Sequence, residues 1–167
     1  DNESYETAAA TPTSDTVCTP YIKVPGLIQA EDYGVGGEGV FYHDASPGNA
    51  GAVYRDDDVD IEETDNGFVV LMQSGEWLGY PIFVEEKGTY ALTLWAQGLY
   101  PGYQVNLYVG DDAVALRVPV PTADEPIVIE RVELDAGAHT LVLSGGIHDG
   151  VVVDALEIVK GNCDDPD

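Results

Sequence analysis

Positive charge is what this sequence has least of. Only 6 of its 167 residues are Lys or Arg, against 31 Asp and Glu, for a formal charge of −25. A field of that sign disfavours nucleic acid, anionic membrane surfaces and acidic glycans, and favours a cation or a neutral ligand. It also suits a protein secreted into salty water, where screening weakens self-repulsion. Cysteine is scarce as well. Cys18 and Cys163 stand one near each end, a spacing that excludes a Cys-x-x-Cys metal motif. Two readings remain, a disulfide or a pair of free thiols. Pairing would close a very long loop, worth roughly 4–5 kcal/mol on chain-entropy models, and would place the protein in an oxidising, extracellular compartment. The disulfide is the expectation. No apolar run reaches the ~18 residues of a membrane span, and helix signals are nearly absent.

What is present points to strands. Hydrophobic residues make up 44% of the chain, enough for a core, and 19 Gly and 10 Pro imply many turns. "EWLGYPIFV", "TYALTLWAQ", "YQVNLYVG", "AVALRVPV", "IVIERVEL", "HTLVLSG" and "VVVDALEIV" alternate or run apolar, separated by "EEKG", "GDD" and "DAGA". The fold class is all-β, an antiparallel β-sandwich of jelly-roll type. Residues 1–20 are polar, small and Pro/Thr-containing, like a linker, and 162–167 look like the start of a second one. Residues 21–161 are then the folded module of a larger secreted protein.

Strand parity carries functional information. If consecutive strands reverse, the short turns 85–88, 110–112 and 135–138 share one end of the sandwich. The longer connections 64–75, 98–103, 120–126 and 145–150 share the other. Long loops gathered on a rigid scaffold are where binding usually resides. That end carries Tyr100, Tyr103, His148 and Asp149.

Two acidic stretches invite a cation. In "LIQAEDYGVGGEG" an extended chain would point Gln29 and Glu31 the same way. If the first and last strands pair, Asp154 of "VVVDALEIV" faces them. Two carboxylates, an amide oxygen and backbone carbonyls make a hard all-oxygen set suited to Ca²⁺, and the absence of His and Cys disfavours zinc. In "YRDDDVDIEE", Asp56, Asp58, Asp60 and Glu62 share one side if the segment is extended. Asp58 and Asp60, with Asp44 of the preceding loop, are read as a second cation site, the alternative being a solvated acidic loop.

The blocks "IQAEDY", "GVFYHDASPGNAGAVYRDDDVDIE", "GEWLGYPIFVEEKGTYALTL" and "VDALEIV", in that order over residues 27 to 159, resemble a family 6 carbohydrate-binding module. The resemblance implies a β-jelly roll that binds polysaccharide without catalysis, attached to a glycoside hydrolase. It also implies a structural calcium between first and last strands, with Gln29, Glu31 and Asp154 at the family's side-chain ligand positions. This sequence departs from the family's usual sugar cleft. Leu71 stands where one clamping aromatic is expected, "VPTADEP" (120–126) lacks the other, and Val152 replaces an Asn.

A pyranose still needs an aromatic face and polar partners. Tyr100 and Tyr103, in a loop stiffened by Pro101, with His148, Asp149 and Tyr42, are the expected carbohydrate-binding residues. The alternative surface is a sheet face presenting Trp77 and Trp95. The leading function is a non-catalytic module holding its enzyme on a neutral glycan such as agarose, xylan or β-glucan. Its competitor is a calcium-stiffened spacer or adhesion module without a sugar site. An enzyme is disfavoured, because no carboxylate pair sits beside aromatics in a cleft motif and the few basic residues are scattered singly.

Overall fold

A computed structural model describes residues 20–161. Cys18 and Cys163 both lie outside the described residues. The described chain folds as β1 (Ile22–Val24), β2 (Gly26–Gln29), β3 (Tyr42–His43), β4 (Ile61–Thr64), β5 (Gly67–Met72) and β6 (Trp77–Val84). It continues as β7 (Gly88–Gly98), β8 (Gln104–Val109), β9 (Asp112–Pro119), β10 (Pro126–Leu134), β11 (Gly137–Gly145) and β12 (Val151–Lys160). Its one helical piece is a 3₁₀ turn over Ala30–Asp32.

Two six-stranded sheets pack face to face. One runs β1-β6-β11-β8-β9 with β3 also on β6; the other runs β10-β7-β12-β5-β4 with β2 on β12. The ladders are antiparallel except that β1 runs parallel to β6, a departure from the all-antiparallel expectation. Period-two patterning builds the core. Leu78, Tyr80, Ile82 and Val84 of β6 are buried, as are Tyr90, Leu92, Leu94 and Ala96 of β7. Each fully buried aliphatic side chain contributes roughly 1.5–3 kcal/mol. Truncating one, as in Leu94→Ala, would cost about 2–5 kcal/mol because the cavity adds to the lost transfer energy.

Parity gathers the loops as expected. At one end Gly98 N–H donates to Pro121 O at 2.8 Å, Leu99 N–H to Gly150 O at 3.3 Å and Gly145 N–H to Glu76 O at 2.8 Å. A Cβ at Gly150 would sit 2.8 Å from a Leu99 methyl, and its φ of +108° independently favours glycine, so the two loops meet closely there. The short turns meet at the other end, where Gly110 N–H donates to Thr140 O at 2.8 Å and Lys87 pairs with Asp135 at 3.0 Å. One expectation fails. Residues 64–75 are not a single long connection, because β4 and β5 form a hairpin whose turn lies at the short-turn end. Only residues 73–75 of that stretch belong to the loop end.

Candidate functional site

The candidate cation site starts from a register. β2 pairs with β12 so that Gln29 is opposite Ala155, which makes Asp154 the extra residue of a bulge between Val153 and Ala155. Glu31 is not on the strand. The chain leaves β2 at Gln29 and turns, so the alternation that placed Gln29 and Glu31 on one face of a strand does not apply. The 3₁₀ turn instead buries Glu31, which is 6% exposed, while Asp154 remains in solvent. Burial, then the nearby negative charges of Asp32 and Asp154, raise the Glu31 pKa above the ordinary carboxylate range.

Glu31 Oε2 is the sole buried side-chain oxygen or nitrogen without a hydrogen-bond partner among the described residues. A buried, partnerless carboxylate oxygen beside a second carboxylate is costly unless a cation supplies the missing partner. Ca²⁺ therefore fits this donor set. No three acidic, His or Cys side chains converge on one point among the described residues. The ion would take the Glu31 and Asp154 carboxylates, the Gln29 amide oxygen and backbone carbonyls.

The second acidic stretch behaves differently. Residues 51–60 form bends and turns rather than an extended strand, so no common face is created. Asp44 Oδ1 accepts from Ser46 N–H at 2.9 Å, Asp58 Oδ1 from Gly48 N–H at 2.8 Å and Asp60 Oδ1 from Ala50 N–H at 2.7 Å. Each carboxylate fastens a loop amide, and the three do not converge as ligands. The expected second metal site is corrected accordingly. Glu76, unremarked in the sequence, sits at the same place and is 3% exposed. It ties two loops by accepting from Gln73 N–H at 2.7 Å and Ala45 N–H at 3.0 Å. Burial and the charges of Asp44 and Asp60 raise its pKa. The "GEW" block, an acid directly before a strand-opening Trp, was its signal.

At the loop end the structure sorts the expected residues. Tyr100 is 68% exposed and meets Tyr103 edge-on at 6.4 Å between ring centres. Tyr103 is 8% exposed and belongs to the core, with His148 packed against it at 5.4 Å. It supports the platform and cannot itself face a sugar. Asp149 caps the neighbouring loop by accepting from Ser74 N–H at 2.7 Å. Tyr42 is corrected outright: it is buried on β3, donates to Asp58 at 3.4 Å and stacks edge-on with Tyr33. Two neighbours were missed. Leu99 and Ile147 are 64% and 78% exposed and flank Tyr100 and His148 in sequence. Both are apolar residues in loops, which no periodicity marks.

The three departures from the family cleft lie together. Leu71 is opposite Val152, Val152 is opposite Gln97, and Gln97 donates to Thr122 O at 2.6 Å. That place offers aliphatic carbons and an engaged amide, not rings. The two tryptophans do not form one surface. Trp77 alternates with buried Leu78 and Tyr80 and so faces outward from the first sheet; Trp95, next to buried Leu94 and Ala96, faces outward from the second. They stand on opposite faces of the sandwich. The outer face of the first sheet holds an open depression of about 640 Å³ lined by Tyr21, Phe41, Pro81, His139 and Thr140.

No family model matches the sequence, and no curated protein does. Solved structures do match in fold. The C-terminal family 6 carbohydrate-binding module of a marine laminarinase from Zobellia galactanivorans is 19% identical, with a TM-score of 0.58 over 80% of this chain and 98% of its own. A family 6 module from Clostridium stercorarium, solved with cellobiose, is 14% identical with a TM-score of 0.62 over 85% and 98%. A Podospora anserina mannanase carrying a family 35 module is 15% identical with a TM-score of 0.56, over 84% of this chain and 28% of that one. At these identities the likeness establishes the β-sandwich fold.

Proposed function

We propose that this chain is a non-catalytic carbohydrate-binding module that holds a covalently attached glycoside hydrolase on a neutral polysaccharide outside the cell. The observation that carries the reading is the loop end. On the fold of a module solved with cellobiose, an exposed Tyr100 ring meets Tyr103, which packs in turn on His148, and the same two loops expose Leu99 and Ile147. An amphipathic ring on a rigid backing is what stacks on the axial hydrogens of a pyranose. The charge of −25 favours an uncharged glycan, with agarose, xylan and β-glucan as the first choices. Calcium at Glu31, Asp154 and Gln29 stiffens the fold; it lies on the β2–β12 seam and takes no part in sugar contact.

The test is binding to a panel of neutral polysaccharides, with reducing-sugar release measured in the same tubes. Removing the stacking ring by Tyr100→Ala should weaken binding about tenfold to a hundredfold, the equivalent of roughly 1–3 kcal/mol. Binding should persist at high salt and no sugar should be released. Because Trp77 and Trp95 lie on opposite faces, Trp77→Ala and Trp95→Ala each report on one sheet. If Tyr100→Ala binds normally and a folded tryptophan variant does not, that sheet face is the site. If nothing binds, the spacer reading prevails.

A further inference from the structure

The turn that carries Glu31 is held in place by an unusual amount of structure for a surface loop. Tyr80, from the core beneath, donates to Ala30 O at 2.8 Å. Tyr54 donates to the Asp32 carboxylate from the side. The largest share comes from Arg55. Its Nη1 donates to Tyr33 O at 2.5 Å and reaches Glu31 O at 3.5 Å, and its Nη2 donates to Gly34 O at 3.1 Å. Nε donates to Asp57 Oδ2 at 2.9 Å, while the other Asp57 oxygen takes the Tyr33 hydroxyl. The guanidinium carbon lies 3.6 Å from the centre of the Tyr33 ring, a cation–π contact over a residue that is itself 2% exposed.

The segment delivering Arg55 is strained in order to do so. Ala52 and Tyr54 adopt φ values of +50° and +67°, a region that non-glycine residues occupy at a cost. Asn49 fastens that segment by donating to Val53 O at 2.9 Å and Arg55 O at 3.1 Å. Strain of this kind persists where surrounding contacts impose it, and here they impose the position of one guanidinium.

None of this hardware touches the Glu31 carboxylate. Arg55 spends its donors on three backbone carbonyls and on Asp57, so it does not neutralise Glu31 or Asp154. Side chains hold the carbonyls of Ala30, Glu31, Tyr33 and Gly34, yet Glu31 Oε2 is left without a partner. That combination, a fixed frame and an unsatisfied charged atom, is what a preorganised metal ligand requires.

We infer that Arg55 is the positioning residue of the calcium site: it clamps the Glu31–Gly34 turn and so sets the direction of the Glu31 carboxylate toward Asp154. The inference rests on the calcium reading proposed above. The planar fork is essential to it. A lysine has one compact ammonium and cannot bridge carbonyls on successive residues while stacking on Tyr33 and meeting Asp57. Arg55→Lys therefore keeps the charge and loses the clamp.

The experiment is calcium titration calorimetry on the full chain for the natural sequence, Arg55→Lys and Asp57→Asn, with melting temperatures in chelator for each. Loss of an outer partner of a metal ligand weakens metal affinity about tenfold to a hundredfold, and Arg55→Lys should fall in that range. Asp57→Asn leaves the fork but replaces the charged anchor on Nε by a neutral amide oxygen, and should weaken calcium severalfold; it also serves if Arg55→Lys does not fold. A purely structural arginine predicts otherwise: a lower melting temperature in chelator with calcium affinity unchanged. That result in the folded variants would overturn the inference and leave the calcium reading standing. Absence of calcium binding by the natural sequence would overturn both.

Discussion

Replacing Glu31 by Gln keeps the shape of the side chain, removes its charge, and should reverse its effect on stability according to whether calcium is present. In chelator the natural protein holds a carboxylate that is 6% exposed, with one oxygen unsatisfied and Asp32 and Asp154 nearby. Neutralising such a group should stabilise by about 1 kcal/mol, which is roughly 2–4 °C for a domain of this size. With calcium the order inverts. At a hundred times the dissociation constant, mass action adds about 2.7 kcal/mol to the natural protein, or roughly 5–10 °C. Glu31→Gln has lost one of only two charged ligands and should gain little. The assay is thermal unfolding by circular dichroism or calorimetry, four curves in all. Equal responses of the two proteins to calcium would refute the ligand assignment. A Glu31→Gln protein less stable than the natural one in chelator would refute the unsatisfied-carboxylate argument independently.

The pH dependence follows from the same groups. Burial raises the pKa values of Glu31, Glu76 and Asp44 above their ordinary values, near 4.5 for the glutamates. Between the ordinary and raised values the folded chain binds more protons than the unfolded one, so in chelator stability should rise as pH falls from neutral toward that range. Protons compete with calcium for Glu31, so the calcium-dependent part of the melting temperature should shrink over the same window; melting curves against pH in both buffers check the two signs. Pairing of Cys18 with Cys163 predicts no alkylation of the denatured protein before reduction and two additions after it, read by intact mass; alkylation before reduction would remove the extracellular argument.

The sandwich was legible because the alternation of polar and apolar residues is a local property. Seven segments written in that pattern became β6 to β12 with shifts of one or two residues at their ends. Parity then placed the loops, since a chain that reverses at each strand has few ways to distribute long and short connections. The nearness of Asp154 to Glu31 was also readable, because β2 and β12 pair as first and last strands often do.

What only the tertiary structure decided depends on distant chain arriving at a given side chain. Gln29 and Glu31 are two apart, but a strand that ends at Gln29 makes the period of two irrelevant, and a turn buried Glu31 instead. Trp77 and Trp95 look alike in sequence and face opposite ways, because β6 and β7 belong to different sheets and each alternates about its own. Tyr100 and Tyr103 share one loop, yet the loop carrying His148 covers the second ring and leaves the first in water. Arg55, a lone cation in a run of acids, finds its carbonyl partners 21 to 24 residues away, and no spacing in the sequence records which ones it meets.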